Sequence, residues 1–155
     1  MKHALLDSPI GPLTLVADGR ALAGLYMAEH RHRPPIDGAR DDTVLPDVQE
    51  QLTAYFARDL KEFDITVSVA GSPFQQEVWA ALRTIPYGES WSYGQLAAAI
   101  GRPKASRAVG LANGRNPVSI VVPCHRVVGS TGGLTGYGGG LERKRWLLDH
   151  EAGRA

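Results

Sequence analysis

A change of pattern at Gly71-Ser72-Pro73 does most to limit how this 155-residue chain can fold. Before it, apolar residues come in strand-like runs; after it, they come in short helical stripes broken by glycine and proline. Ile10 to Val16 and Ala21 to Met27 are apolar-rich, and the Asp-Gly pair of Ala17-Asp18-Gly19-Arg20 between them marks a hairpin turn. From Pro46 onward, Leu45, Val48, Leu52, Tyr55 and Phe56 recur at helical spacing. Phe63, Ile65, Val67 and Val69 then alternate with polar residues, as a half-buried strand does. Residues 1–70 thus read as a small β-rich domain with one helix. His30 to Asp42, which holds His30, His32 and Pro34-Pro35, reads as a solvated loop rather than a metal site.

Residues 71–155 read as a second, helical domain. Ser72 caps a helix with Pro73 at its first position, and Phe74, Val78, Leu82 and Ile85 form its stripe until Pro86. Ser92 caps a short helix carrying Leu96 and Ile100, which Gly101 stops. Arg102-Pro103 opens another, with Ala105, Ala108, Val109 and Ala112 on one side, and Asn113-Gly114 ends it. Two short helices joined by a tight glycine turn resemble a helix-turn-helix unit. The second has mostly small residues interspersed with Lys104 and Arg107, which suits close packing in a core or close approach to a nucleic-acid backbone. Val118 to Val122 reads as a short buried strand, and Leu141 to Glu151 as a last helix packing through Leu141, Trp146, Leu147 and Leu148.

The net charge of +1 conceals a division. Residues 1–70 hold 7 Lys/Arg against 11 Asp/Glu, and residues 71–155 hold 10 against 5. The second half is therefore the candidate face for a polyanion. No apolar run is long enough to span a bilayer, and the start lacks the apolar stretch of a signal peptide, so the expected compartment is the cytoplasm.

Cys124, the only cysteine, lies in Pro123-Cys124-His125-Arg126. One sulfur allows neither an intramolecular disulfide nor a multi-thiolate zinc site, which leaves an inert buried side chain or a nucleophile. Only the thiolate attacks, so a nucleophile needs a proton acceptor such as His125, itself held by a carboxylate such as Glu151. Neighbours on an extended segment point to opposite sides, so a bridging water is expected between Cys124 and His125. Seven of the twelve residues from Gly129 to Gly140 are glycine, without the Gly-Lys-Ser/Thr ending of a phosphate loop. Such a loop suits a backbone that bends sharply and comes close to a ligand.

Pro123-Cys124-His125-Arg126-Val127-Val128, Arg107-Ala108-Val109-Gly110, Asn116-Pro117 and Gly136-Tyr137-Gly138-Gly139-Gly140-Leu141 together resemble the O6-alkylguanine-DNA alkyltransferase family. Phe74-Gln75-Gln76-Glu77-Val78-Trp79, Ile85-Pro86-Tyr87-Gly88-Glu89, Ser92-Tyr93-Gly94 and Lys144-Arg145-Trp146-Leu147-Leu148 extend the likeness over residues 72–151, in order. Ser8-Pro9-Ile10-Gly11-Pro12-Leu13 adds a weaker match to the family's N-terminal domain.

The resemblance implies an α+β fold: a ribonuclease-H-like N-terminal domain, 1–70, then a winged helix-turn-helix-like domain, 71–155. It implies a direct-reversal repair protein, a methylated-DNA–protein-cysteine methyltransferase. O6-alkylguanine, and also O4-alkylthymine, would be flipped from duplex DNA and its alkyl group moved irreversibly to Cys124, once per molecule. Glu151, His125 and a water would relay the proton, Asn116 would hold the cysteine segment, and Tyr93 would serve guanine N3. Val127, Tyr137 and Gly138 would form the base pocket. Arg107 would fill the gap in the stack from a minor-groove helix, with Ser92, Gly94, Arg102 and Ser130 near phosphates. A monomer with cooperative assembly on DNA is expected, with no cofactor, no metal and no membrane. Two other classes share parts of the pattern: a cysteine hydrolase, and a DNA-binding module whose cysteine is incidental.

Overall fold

The computed structural model describes residues 1–31, 33–36 and 38–154. Strands β1 (Lys2–Leu6), β2 (Leu13–Asp18) and β3 (Ala21–Met27) form an antiparallel meander, and β4 (Ala39–Arg40) adds a two-residue parallel edge, giving the order β3-β2-β1-β4. The hairpin turn falls where the Asp-Gly pair predicts it, with Gly19 at φ 60. Leu13, Leu15, Leu22, Leu25 and Met27 are fully buried and join Val48, Leu52 and Tyr55 of helix α1 (Pro46–Phe56) in one core.

The strand expected over Phe63 to Val69 shrinks to a single bridge between Leu22 and Val67, flanked by the bonds Leu22 N to Thr66 O and Ser68 N to Leu22 O, each 2.9 Å. Its start is diverted, because the Gln51 side chain clamps both the N–H and the C=O of Asp64 at 2.8 and 2.9 Å. Those two groups are the ones a ladder would use. Gly71 then passes the Trp79 ring so closely that a Cβ there would sit 2.6 Å from it.

In the second half, α2 (Pro73–Leu82) and α3 (Tyr93–Ala99) each begin with a complete capping box, Ser72 with Gln75 and Ser92 with Gln95. A cap of this kind contributes about 1 kcal/mol. α4 (Ser106–Gly114) starts later than Arg102-Pro103 suggests, since that segment is spent on a turn closed by Ala105 N to Arg102 O at 2.9 Å. α3 and α4 pack together, and β5 (Trp91–Ser92) pairs in parallel with β6 (Val127–Val128) beside them. A helix-turn-helix with a small two-stranded wing results.

Two further expectations change. Val118 to Val122 is buried but is not a strand: after one bridge, Leu25 to Val118, the chain coils through turns, with Ile120 at φ 72. The last helix, α5 (Leu141–Glu151), has the expected bounds but an unexpected inner face. Leu141 is 48% exposed, while Lys144, Leu147, His150 and Glu151 are buried. Polar residues face inward because α5 forms one wall of a polar site. Among the described residues, no helix is long and apolar enough to cross a membrane.

Candidate active site

The cysteine segment is shaped by two consecutive three-residue turns. Val121 N bonds to Ser119 O at 2.8 Å across Ile120, whose φ of 72 is rare for a β-branched residue and stores about 1–3 kcal/mol. Cys124 N bonds to Val122 O at 2.8 Å across Pro123 at φ −81 and ψ 64, a relaxed version of the same turn. Asn116 bolts the coil from within. Its Nδ2 donates to Val122 O at 2.8 Å and Val118 O at 3.4 Å, and its Oδ1 accepts from Val118 N at 3.0 Å. Asn113 Nδ2 adds a bond of 3.5 Å to Cys124 O.

Cys124, His125 and Arg126 form one turn of 3-10 helix rather than an extended strand, so the two-sided alternation predicted for them does not apply. His125 Nε2 donates to Glu151 Oε2 at 2.8 Å, and both side chains are buried. A carboxylate only accepts, so Nε2 carries a proton, and in the neutral imidazole Nδ1 is then the acceptor. Nδ1 has no hydrogen-bond partner among the described residues. Arg126 Nε donates to Glu151 Oε1 at 2.8 Å and Nη2 to Oε2 at 3.0 Å, while Tyr55 Oη donates to Oε2 at 2.6 Å. Burial alone would raise the Glu151 carboxyl, but the His125 and Arg126 contacts outweigh it and hold the group well below the usual carboxylate range.

Cys124, Asn113, Asn116, Ser119, Tyr137, Gly138 and His30 surround a cavity of about 10 Å³. That is room for about one water and far too little for a purine. Val127 and Tyr137, expected at the base pocket, are buried here. Closure comes from the loop after β3, expected to be solvated. Arg31 N bonds to Gly138 O at 2.6 Å, and His30 Nε2 lies 2.6 Å from where a Gly138 Cβ would be. His32, the other histidine singled out there, lies outside the described residues.

The thiol is not activated in this closed form. Burial pushes it above its ordinary value, and the opposing effects of Asn116, the Lys144 charge, Ser119 and its own backbone amide only partly offset that. Lys144, buried on the inner face of α5, donates from Nζ to Thr135 O at 2.6 Å. Burial lowers its pKa to about 8, against the pull of the Cys124 sulfur. Arg143 is spent on Ile10 O and Gly139 O, so two of the three basic residues of α5 serve the interior.

Tyr93 Oη meets Thr135 O at 3.3 Å and Thr135 Oγ1 at 3.0 Å, which ties the start of α3 to the glycine loop. Arg107 is exposed on α4, and Gly94 is exposed where α3 nears Ser106. Ser130 is exposed on the loop after β6. The Ser92 hydroxyl accepts the capping bond from Gln95 N at 3.1 Å, and Arg102 pairs loosely with Glu77 at 3.6 Å and lies over Phe74. Tyr55, Lys144, Ser119 and His30 were not legible as site residues, since each fits a local pattern of core helix, basic helix, buried strand or loop. Among the described residues, no group of three or more His, Cys, Asp or Glu could hold a metal ion.

A helix-turn-helix unit with a buried cysteine beside a histidine–glutamate pair defines the class: helix-turn-helix proteins that carry a lone thiol in a buried polar site. Residues 73–153 match the family model for the DNA-binding domain of 6-O-methylguanine DNA methyltransferase, and residues 1–69 match that for its ribonuclease-like domain. The chain belongs to this family. It is 54% identical to the methylated-DNA–protein-cysteine methyltransferase of Mycobacterium tuberculosis strain H37Rv, over 99% of this chain and 93% of the relative. It is 46% identical to that of Methanosarcina acetivorans, over 97% and 98% of the two chains. The crystal structure of Mycobacterium tuberculosis OGT in complex with DNA superposes with a TM-score of 0.95 at 52% identity, covering 100% of this chain and 95% of the other.

Proposed function

We propose that Cys124 accepts an alkyl group from O6-alkylguanine in duplex DNA, and from O4-alkylthymine, once per molecule. His125 Nδ1 takes the thiol proton through a bridging water. The thiolate attacks the alkyl carbon, the C–S bond forms as the C–O6 bond breaks, and the electron pair returns to the guanine ring. Tyr93 donates its hydroxyl proton to N3, so guanine leaves neutral, or a strong hydrogen bond that steadies the charge the ring gains. No cofactor is needed. A thioether is a poor leaving group toward water, so the protein is consumed. The observation that carries this reading is His125 Nδ1, without a hydrogen-bond partner among the described residues and buried in the same segment as the sole cysteine, with its Nε2 committed to Glu151.

Entry of the base requires residues 136–140 to move off His30 and Arg31. Gly136 and Gly140, at φ 36 and 93, give this loop backbone freedom that other residues lack. Val127, Tyr137 and Gly138 then form the base pocket, and flipping costs a few kcal/mol, less for a mispaired lesion. Arg107 fills the gap from α4 in the minor groove, with Ser92, Gly94, Arg102 and Ser130 toward the phosphates. Residues 1–70 and 71–155 act as two domains of a cytoplasmic monomer that assembles cooperatively on DNA.

Counting O6-methylguanine lost from duplex DNA per protein chain tests this. One equivalent and then no more is expected, with Cys124→Ala binding DNA but removing none. Multiple turnovers, or activity in Cys124→Ala, would instead support a cysteine hydrolase or an incidental cysteine.

A further inference from the structure

Four buried side-chain atoms in this molecule have no hydrogen-bond partner among the described residues: Asn113 Oδ1, Ser119 Oγ, His125 Nδ1 and Tyr137 Oη. Asn113, Ser119 and Tyr137 line the cavity that holds Cys124, and His125 follows Cys124 in its 3-10 turn. Buried polar atoms are normally satisfied, so such a cluster points to a group that is itself present only part of the time. The His125 nitrogen has its role as proton acceptor. The Ser119 hydroxyl has none in the reaction as derived above.

Ser119 is 1% exposed and sits at the first position of the tight turn across Ile120. That turn forces a β-branched residue to φ 72, a conformation of rare occurrence outside glycine. The backbone is thus strained at Ile120, the residue that follows Ser119, four positions before Cys124. A hydroxyl can rotate its proton to whichever acceptor forms. Its position already favours the thiolate form of Cys124 over the thiol, together with Asn116 and the Lys144 charge.

We propose that Ser119 Oγ is a hydrogen-bond donor to the Cys124 thiolate, left without an acceptor in the thiol form and satisfied as the proton leaves the sulfur. Ser119 is then a catalytic residue of the alkyl transfer, since it touches the reacting atom. This rests on Cys124 being the acceptor. The other groups facing the sulfur are His125 beside it, Lys144 and, beyond the imidazole, Glu151 from α5, Tyr137 from the glycine loop and His30 from the loop after β3.

The test is the single-turnover rate of methyl transfer from O6-methylguanine duplex as a function of pH, for the full chain and Ser119→Ala. Loss of a donor to a charged acceptor moves the midpoint of the rate upward by about one pH unit, so Ser119→Ala reacts about tenfold slower below the midpoint and equally fast on the plateau. Its melting temperature is unchanged or higher, because an unsatisfied buried hydroxyl is removed. Ser119→Thr, which keeps the hydroxyl, keeps the midpoint. An unchanged midpoint in Ser119→Ala overturns the proposal, as does a uniform rate loss at all pH with a lowered melting temperature. Peptide mapping of the methylated wild type separates this from failure of the underlying reading. A methyl found anywhere but Cys124 defeats the acceptor assignment, whereas a methyl on Cys124 with an unmoved midpoint defeats only the role of Ser119.

Discussion

Tyr55 Oη donates to Glu151 Oε2 at 2.6 Å, joining the first helix of the chain to its last across 96 positions. The same oxygen accepts from His125 Nε2 at 2.8 Å and Arg126 Nη2 at 3.0 Å. A residue of the N-terminal half therefore shares the carboxylate that orients the proposed base. Burial, and then the charge on Glu151, push the Tyr55 phenol well above its ordinary value, so it remains a donor throughout the working range.

Tyr55→Phe keeps the ring contacts with Phe56, Phe63 and His150 and deletes only this donor. Glu151 then has more charge to offer His125, the imidazolium is better held, and the thiolate forms more readily. The pH midpoint of methyl transfer should move down, while stability falls by about 1.5–3 kcal/mol for a lost bond to a charged group. Rate-against-pH profiles and urea melts of the two proteins check both signs; a midpoint that rises would show that Tyr55 supports the base instead.

Glu151 makes stability depend on acidity. Its folded-state value lies below the unfolded value of about 4.3, held there against burial by His125 and Arg126. Between the two values the unfolded chain carries the extra proton, so the stability contributed is present above about pH 5 and is lost as the pH falls. Glu151→Gln should flatten that acid limb. At neutral pH it leaves Arg126 buried without its anion, a cost of about 3–5 kcal/mol. Urea melts at several pH values from neutral down test it, and an acid limb as steep as in the wild type would contradict the assignment.

Lys144 has the opposite sense. Burial lowers it to about 8 while an unfolded lysine titrates near 10.4. Between these values the unfolded chain holds more protons, so Lys144 contributes a rise in stability with pH over that window, opposed by the raised Cys124 thiol, whose sign is the reverse. Lys144→Met keeps the stem and removes both the charge and the bond to Thr135 O. The alkaline rise should vanish, amides around residues 134–138 should exchange faster with deuterium, and methyl transfer should slow by about tenfold. Unchanged exchange in that loop would show that Lys144 does not hold it.

Arg107 is exposed on α4, the helix proposed to enter the minor groove. Arg107→Ala should slow repair of O6-methylguanine in duplex DNA about tenfold or more, and reaction with free O6-benzylguanine much less. Equal losses on both substrates would argue against a place for this side chain in the base stack.

Much of this was written locally. The hairpin at Asp18-Gly19, the capping serines Ser72 and Ser92, and the bounds of α5 follow from short-range chemistry, because caps and turns are decided within four residues. The strand over Phe63 to Val69 failed where a distant side chain, Gln51, captured the backbone first. Val118 to Val122 failed because an apolar run says buried without saying straight; Asn116, outside the run, coils it. In the site, the pairing of His125 with the carboxylate of Glu151 was legible. Lys144 was not, because a lysine between two arginines on a helix looks solvated until the neighbouring loop folds over it. Closure by His30 and Arg31 had no local signal, since the contact joins segments over a hundred residues apart.

The most direct measurement is peptide mass mapping after the protein is mixed with duplex DNA containing O6-methylguanine. One methyl per chain should be found, on the peptide that carries Cys124, in proportion to the lesions removed. Lesion removal with an unmodified Cys124, or a methyl on any other residue, would contradict the central claim.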